Sequence, residues 1–236
     1  MRTLGIEDLD DYCDYIFSQS DDDAAEEITH FIDSITTNKT DFFREKRHFE
    51  YLKESILPEF SESGRPKLWC WSAASSMGAE AYTMAMVIEE YCRVHKKIDY
   101  TILASDLSTA MLSMAVNGRY PAMMLDPVSE DMRKRYIMVA RHPEQDEFRI
   151  KPNLRSKINF FQLNLMNDRY PLTQKMDVIF CRNVLIYFDK QTQKRVLLRL
   201  CENLRSGGYL ILGHSETASG IDLPLDSIGS AIFRRR

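Results

Sequence analysis

Along the first sixty positions apolar residues recur at helical spacing. Ile6, Leu9, Tyr12/Cys13 and Ile16/Phe17 form one stripe, and Ala25, Ile28, Phe31/Ile32 and Ile35 form a second. Between them "SQSDDD" reads as a polar turn that supplies N-cap residues and negative charge to the second helix. After "TTNKTD", Phe42-Phe43 and then Leu52, Ile56, Leu57 and Phe60 extend a third helical region, which Pro58 and "SESGRPK" bring to an end. From Lys67 the period changes, and short apolar runs alternate with helical segments. Strands are predicted at 68–71, 100–105, 158–163, 176–181 and 209–213, and helices at about 79–94, 108–116 and 189–204. Such alternation predicts an α/β fold with a parallel sheet covered on both faces. Two segments depart from it. "DPVSEDMRKRY" reads as an extra helix, and "EFRIKPNLRSKINFF" as a small antiparallel strand pair turning at Lys151-Pro152-Asn153. The pattern divides the chain into a small all-α domain, 1–62, and an α/β domain, 63–236, with an antiparallel β insertion at about 138–163.

Composition adds boundaries to this picture. The 236 residues are 44% hydrophobic and 28% charged, enough apolar material for a full core. A net charge of −4 provides no field that would favour nucleic acid. "DDDAAEE" at 21–27 and Arg234–Arg236 read as a solvated helix start and a solvated tail. No run reaches membrane-spanning length, so no membrane insertion is expected, and "MRTLGIEDLDDY" lacks the apolar core of a signal peptide. Cysteines 13, 70, 92, 181 and 201 contain no C-x-x-C pair and no zinc-ligand spacing. They read as free thiols in a reducing, cytoplasmic setting, and no metal is expected.

The candidate chemistry lies where strands end. In "WCWSAASSMGAE" (69–80) an apolar strand breaks into small residues and Gly78 just before a helix, which lets a ligand approach the backbone beyond the strand's carboxyl end. The G-x-G-x-x-G form is absent, so a pyrophosphate cradle is not indicated. Asp106 ends the second strand in "ASD", where nucleotide-binding α/β folds use an acid to accept from ribose hydroxyls; Ser108 serves as the helix cap beside it. Asn164-Leu165 follow the next strand, and Arg182, Asn183 and Tyr187 follow the fourth in "FCRNVLIYFD". Glu80, Asp106, Asn164 and Arg182/Asn183 are thereby expected around one crevice.

In this order "TTNKTDFFRE", "WSAASSMGAEAYTMAM", "ASDLS", "LNL", "FCRNVLIYFD" and "GGYLILGHSE" resemble the chemotaxis-receptor glutamate methyltransferases, the CheR type, from about residue 30 to the C-terminus. The resemblance implies a class I S-adenosylmethionine (SAM) methyltransferase domain, Rossmann-like, with a helical domain before it and a small antiparallel subdomain inserted in it. It implies transfer of a methyl group from SAM to glutamate side chains in the cytoplasmic helices of chemoreceptors, leaving S-adenosylhomocysteine. Carried over by position, SAM contacts fall on Asn38, Thr40, Arg44, Glu80, Asp106, Asn164, Leu165, Arg182 and Asn183, with Arg44 and Tyr187 beside the methyl group. The chain departs from the usual "GEEPYS" in reading "GAEAYT", which keeps Glu80 but replaces the first Glu and the Pro by Ala79 and Ala81. That change motivates an alternative, a SAM-binding signalling module of the same fold without catalysis. Residues 139–149, "VARHPEQDEFR", lack the glycine-rich turn of members that bind a receptor tail, so no docking of a tail pentapeptide is expected. A glutamate carboxylate is ionised near neutral pH and attacks without a general base. His48 and His214 are accordingly read as structural, and Arg44 as the planar fork that orients the acceptor carboxylate.

Overall fold

The computed structural model describes Asp8 and residues 40–139, 146–218 and 220–236. The two helical stripes expected before residue 36 lie outside these residues, as does Asn38. The third helical region is α1 (Arg47–Tyr51), a π-helical turn (Leu52–Ile56) and α2 (Leu57–Glu62), running on without a break. Phe42, Phe49, Leu52, Ile56, Leu57 and Phe60 are buried in the same core as the sheet that follows, so this segment has no separate core of its own.

The sheet is built from β1 (Leu68–Ala73), β2 (Tyr100–Asp106), β6 (Ile158–Gln162), β7 (Met176–Cys181), β8 (Leu204–Leu212), β9 (Leu225–Gly229) and β10 (Ile232–Arg235). Their spatial order is β6-β2-β1-β7-β8-β10-β9; the first five are parallel, and β10 is antiparallel to both β8 and β9. A doubly wound parallel half closed by an antiparallel hairpin is the class I SAM-methyltransferase form of the Rossmann-like fold. Side chains alternate between two cores, as a two-residue period requires. Leu68, Cys70, Ile102, Val178, Phe180 and Ile211 face one side, with α3 (Ala79–Val94) and the segment 42–60. Trp71, Ala73, Ile179, Cys181, Leu210 and Leu212 face the other, with α7 (Lys190–Asn203). Both faces being covered, β7 is buried at every position.

Between β2 and β6 the chain forms α4 (Thr109–Asn117), β3 (Arg119–Pro121), α5 (Glu130–Tyr136), β4 (Ile137–Val139), β5 (Glu147–Ile150) and α6 (Pro152–Arg155). The strands β3-β5-β4 make a separate antiparallel sheet with β5 in the middle. This corrects the strand pair read in 147–161: Glu147–Ile150 pairs with Arg119–Pro121 and Ile137–Val139, while Ile158–Gln162 joins β2 at the edge of the main sheet, in keeping with the strand predicted at 158–163. The reason is local. Pro152 starts a short helix rather than a hairpin turn, and this carries the chain back to the parallel sheet. Rings of Phe42, Tyr82, Tyr120 and Phe148, with centroid separations between 5.2 and 6.2 Å, seat the small sheet on α3.

The C-terminal arginines are a second correction, for they close a strand instead of forming a solvated tail. Arg234 donates to Glu59 at 2.6 Å and lies over the Tyr209 ring, Arg235 donates to the Leu204 carbonyl, and Arg236 donates to the Leu223 carbonyl at 2.7 Å. No helix among the described residues is long and apolar enough to cross a membrane.

Candidate functional site

The site lies beyond the carboxyl ends of β1, β2, β6 and β7, where connections leave β1 and β7 in opposite directions across the sheet. A cavity of about 440 Å³ opens there, within the range of small-molecule sites. Its walls include Thr40, Arg44, Glu80, Asp106, Asn164, Leu165, Arg182, Asn183 and Tyr187. All the residues expected at the site that the structure describes are therefore brought together.

The opening after β1 depends on backbone shape. Ala74 and Ser76 have φ of 60° and 49°, and Gly78, at 88°, caps α3. A Cβ at Gly78 would lie 2.9 Å from the Ala115 Cβ and 3.1 Å from the Phe160 ring, so only glycine fits. Asp106 holds this loop. Its Oδ2 accepts from the Ser76 N–H at 2.7 Å and its Oδ1 from the Ser108 N–H at 3.0 Å, while Ser108 itself caps α4 by accepting from Met111. Ser75 adds a backbone bond to the Ser105 carbonyl at 2.8 Å. Further along, Asn164 Oδ1 accepts from the Met166 N–H at 2.8 Å, and Leu163 and Leu165 supply apolar wall.

At the other side of the cavity a buried arginine joins two acids. Arg182 donates from Nη1 to Glu80 Oε2 at 2.9 Å and from Nη2 to Glu45 Oε2 at 3.0 Å, and its guanidinium lies over the rings of Phe49 and Phe180. Ser72 Oγ donates to Glu80 Oε1 at 2.6 Å, and Asn183 Nδ2 donates to Glu45 Oε1 at 3.2 Å. The two carboxyls respond in opposite senses. Burial pushes Glu80 up against the pull of Arg182 and Ser72. Burial also acts to raise Glu45, but Arg182, Asn183 and the His214 N–H outweigh it and hold that carboxyl below its ordinary value. Phe43, Glu45 and Asn183 have φ of 54°, 56° and 58°, so strained backbone brackets Arg44 and this network.

His48 and His214 meet edge to face at 4.7 Å, with His48 Nδ1 3.4 Å from Glu45 Oε2. The ligand atoms of Glu45, His48 and His214 lie within 4.8 Å of one another. A cation there would face the Arg182 guanidinium on the same Glu45 oxygen, which disfavours a metal ion at this cluster. Burial and the Arg182 charge lower the His48 pKa to about 4, which leaves the imidazole neutral near pH 7.

Two contributors were not singled out from the sequence. Glu45 organises Arg182 and Asn183, and Glu216 accepts from the backbone of the turn that follows β7. The signal for Glu216 was present: "GHSE" stands at a fifth strand end, where the rule that selected Glu80, Asp106, Asn164 and Arg182 applies equally.

The chain is similar over most of its length to proteins of one family. The family described as CheR methyltransferase, SAM binding domain, matches residues 38–232. A chemotaxis protein methyltransferase of Klebsiella aerogenes is 36% identical over 99% of this chain and 77% of its own length. One from Borreliella burgdorferi is 37% identical over 82% of this chain and 69% of its own, and one from Pseudomonas putida is 37% identical over 94% and 80%.

Proposed function

The chain belongs to the CheR methyltransferase family, and from that premise we propose how its cavity serves the transfer of a methyl group from SAM to chemoreceptor glutamates. The enzyme is a SAM-dependent protein-glutamate methyltransferase, and its substrate is a chemoreceptor. When bound, SAM supplies a methyl group on a positively charged sulfur, already activated for attack by a carboxylate.

The observation that carries the reading is the convergence of Arg44, Glu80, Asp106, Arg182 and Tyr187 on one cavity. Asp106 stands at the cavity at the end of β2, and its carboxylate offers acceptors alone, which suits the ribose hydroxyls. Leu163 and Leu165 offer apolar wall for the adenine, with Asn164 providing polar groups beside it. Glu45, Glu80 and Arg182 sum to one negative charge when both acids are ionised, which favours a cationic donor. Thr40, with Asn38 nearby in sequence, completes the contacts to the donor. Arg44 steers the incoming carboxylate, and Tyr187, 60% exposed at the rim, meets both substrates. The chemistry requires positioning and exclusion of water, not a base. The acceptors lie on cytoplasmic receptor helices, which sets the site of action in the cytoplasm, and a receptor tail peptide has no role in docking.

The test is transfer of labelled methyl to receptor cytoplasmic fragments, with base-labile release reporting an ester. Parent enzyme should label glutamates. Arg44→Lys keeps the charge but loses the planar fork, and should slow transfer on the order of 100-fold at saturating SAM. Normal single-turnover transfer by the lysine variant would remove Arg44 from the mechanism.

A further inference from the structure

Glu216 follows β8 and is buried, 7% exposed, without lining the SAM cavity. Its carboxylate gathers four backbone amides. Oε1 accepts from Val184 at 2.8 Å and Leu185 at 2.7 Å; Oε2 accepts from Asn183 at 2.9 Å and Gly213 at 2.6 Å. Three of these amides are consecutive in a turn where Asn183 has φ 58°, so neither the sheet nor the next helix is there to satisfy them. Four N–H groups converging on one carboxylate are charge-assisted bonds, and a carboxylate is the side chain with acceptors alone to offer. Gly213 makes the approach possible: a Cβ there would lie 2.7 Å from Asn183 Nδ2 and 2.8 Å from Glu216 Oε2. From the opposite side Gln193 Nε2 donates to the Leu185 and Phe188 carbonyls, each at 2.9 Å.

The clamped turn is the one that carries Arg182, Asn183 and Tyr187 to the cavity. We propose that Glu216 is a positioning residue for methyl transfer, fixing these three side chains through the amides of residues 183–185. This rests on the methyltransferase reading and deepens it. Glutamine cannot replace the carboxylate, because its amide group turns a donor toward two of the four N–H groups. Aspartate keeps both oxygens but is one methylene short, and should recover part of the effect.

The experiment compares the full chain with Glu216→Gln and Glu216→Asp in four measurements: thermal melting, amide exchange, SAM affinity, and single-turnover transfer at saturating SAM and receptor fragment. In folded Glu216→Gln, exchange should quicken selectively at Asn183, Val184 and Leu185. Transfer should fall on the order of 100-fold, SAM affinity should fall less, and Glu216→Asp should lie between. Transfer within about twofold of parent by folded Glu216→Gln would overturn the proposal even with a lower melting temperature, since that marks a purely structural role. Should the glutamine variant not fold, the same readings on Glu216→Asp decide, and parent-like exchange and transfer there overturn it. If the parent itself transfers nothing to receptor fragments, the functional reading is what fails. Amide exchange and SAM affinity then still judge Glu216, with parent-like values in both counting against it.

Discussion

Arg182 shows how much of this site rests on single side chains that join several elements. One guanidinium between two carboxyls, all largely buried, is stable only because each charge is matched and hydrogen-bonded. His48 shares that enclosure and is faced by Arg182, Glu45 and His214. Its burial and the nearby positive charge lower its pKa from 6.5 to about 4. Between those values the unfolded chain binds a proton that the folded chain refuses, so stability rises with pH across the window and is flat above it. One such group contributes a slope of about 1.4 kcal/mol per pH unit. Denaturant midpoints followed from pH 4 to 7 should climb more steeply for the parent than for His48→Phe; equal slopes would show that His48 titrates normally. At this scale the sequence reveals residues through the rule that functional groups follow strands, which found Glu80, Asp106, Asn164 and Arg182. It says nothing of Glu45 as the partner of Arg182, because that pairing spans 137 positions and exists only once the helical segment packs on the sheet.

Elements divide by how their burial is written in the chain. The parallel strands were legible because both faces are covered, which leaves runs such as "MDVIF" apolar throughout, and the helices because a polar stripe returns every third or fourth residue. β9 and β10 were not legible. Exposed positions run through Leu225–Gly229, and three arginines end the chain, so neither segment reads as a strand. What makes β10 a strand is tertiary: Ile232 and Phe233 are buried between β8 and β9, and the arginine heads find Glu59 and two carbonyls. The small sheet was misplaced for the same reason, since β5 takes its partners from 119–121 and 137–139 rather than from its sequence neighbour. Removing residues 232–236 distinguishes a strand from a tail. Loss of two buried apolar side chains and of the pairings to both β8 and β9 should cost about 4–6 kcal/mol, read as a lower urea midpoint with SAM affinity weakened in parallel. A change below about 0.5 kcal/mol, the scale of an ordinary surface change, would mean the arginines are solvated after all.

For the molecule as a whole, the small sheet is seated on α3 through the rings of Phe42, Tyr82, Tyr120 and Phe148, and its edges decide what it can hold. An extended peptide binds a sheet by adding a strand, which needs a free edge of several unpaired backbone groups. Here the central strand β5 is paired on both sides, and the edges left over, β3 and β4, are three residues each. β3 ends in Pro121, which lacks a donor, and Arg119 on the same strand is tied to Glu147 at 2.8 Å. Among the described residues neither edge provides the length that a pentapeptide would pair along. The cavity offers more, with Tyr187 60% and Met166 38% exposed in its walls and Ile186, next to Tyr187 in the chain, 48% exposed. We therefore expect receptor fragments with and without their C-terminal tail to be methylated at the same rate, and a tail peptide alone to show no micromolar affinity by calorimetry. Ile186→Ser should instead raise the KM for receptor several-fold with SAM affinity unchanged, since it removes apolar contact area next to Tyr187 without touching the cavity's polar groups. Micromolar binding of the tail peptide, lost on changing Arg119 or Arg149 in the small sheet, would reverse this assignment and make the sheet the docking element.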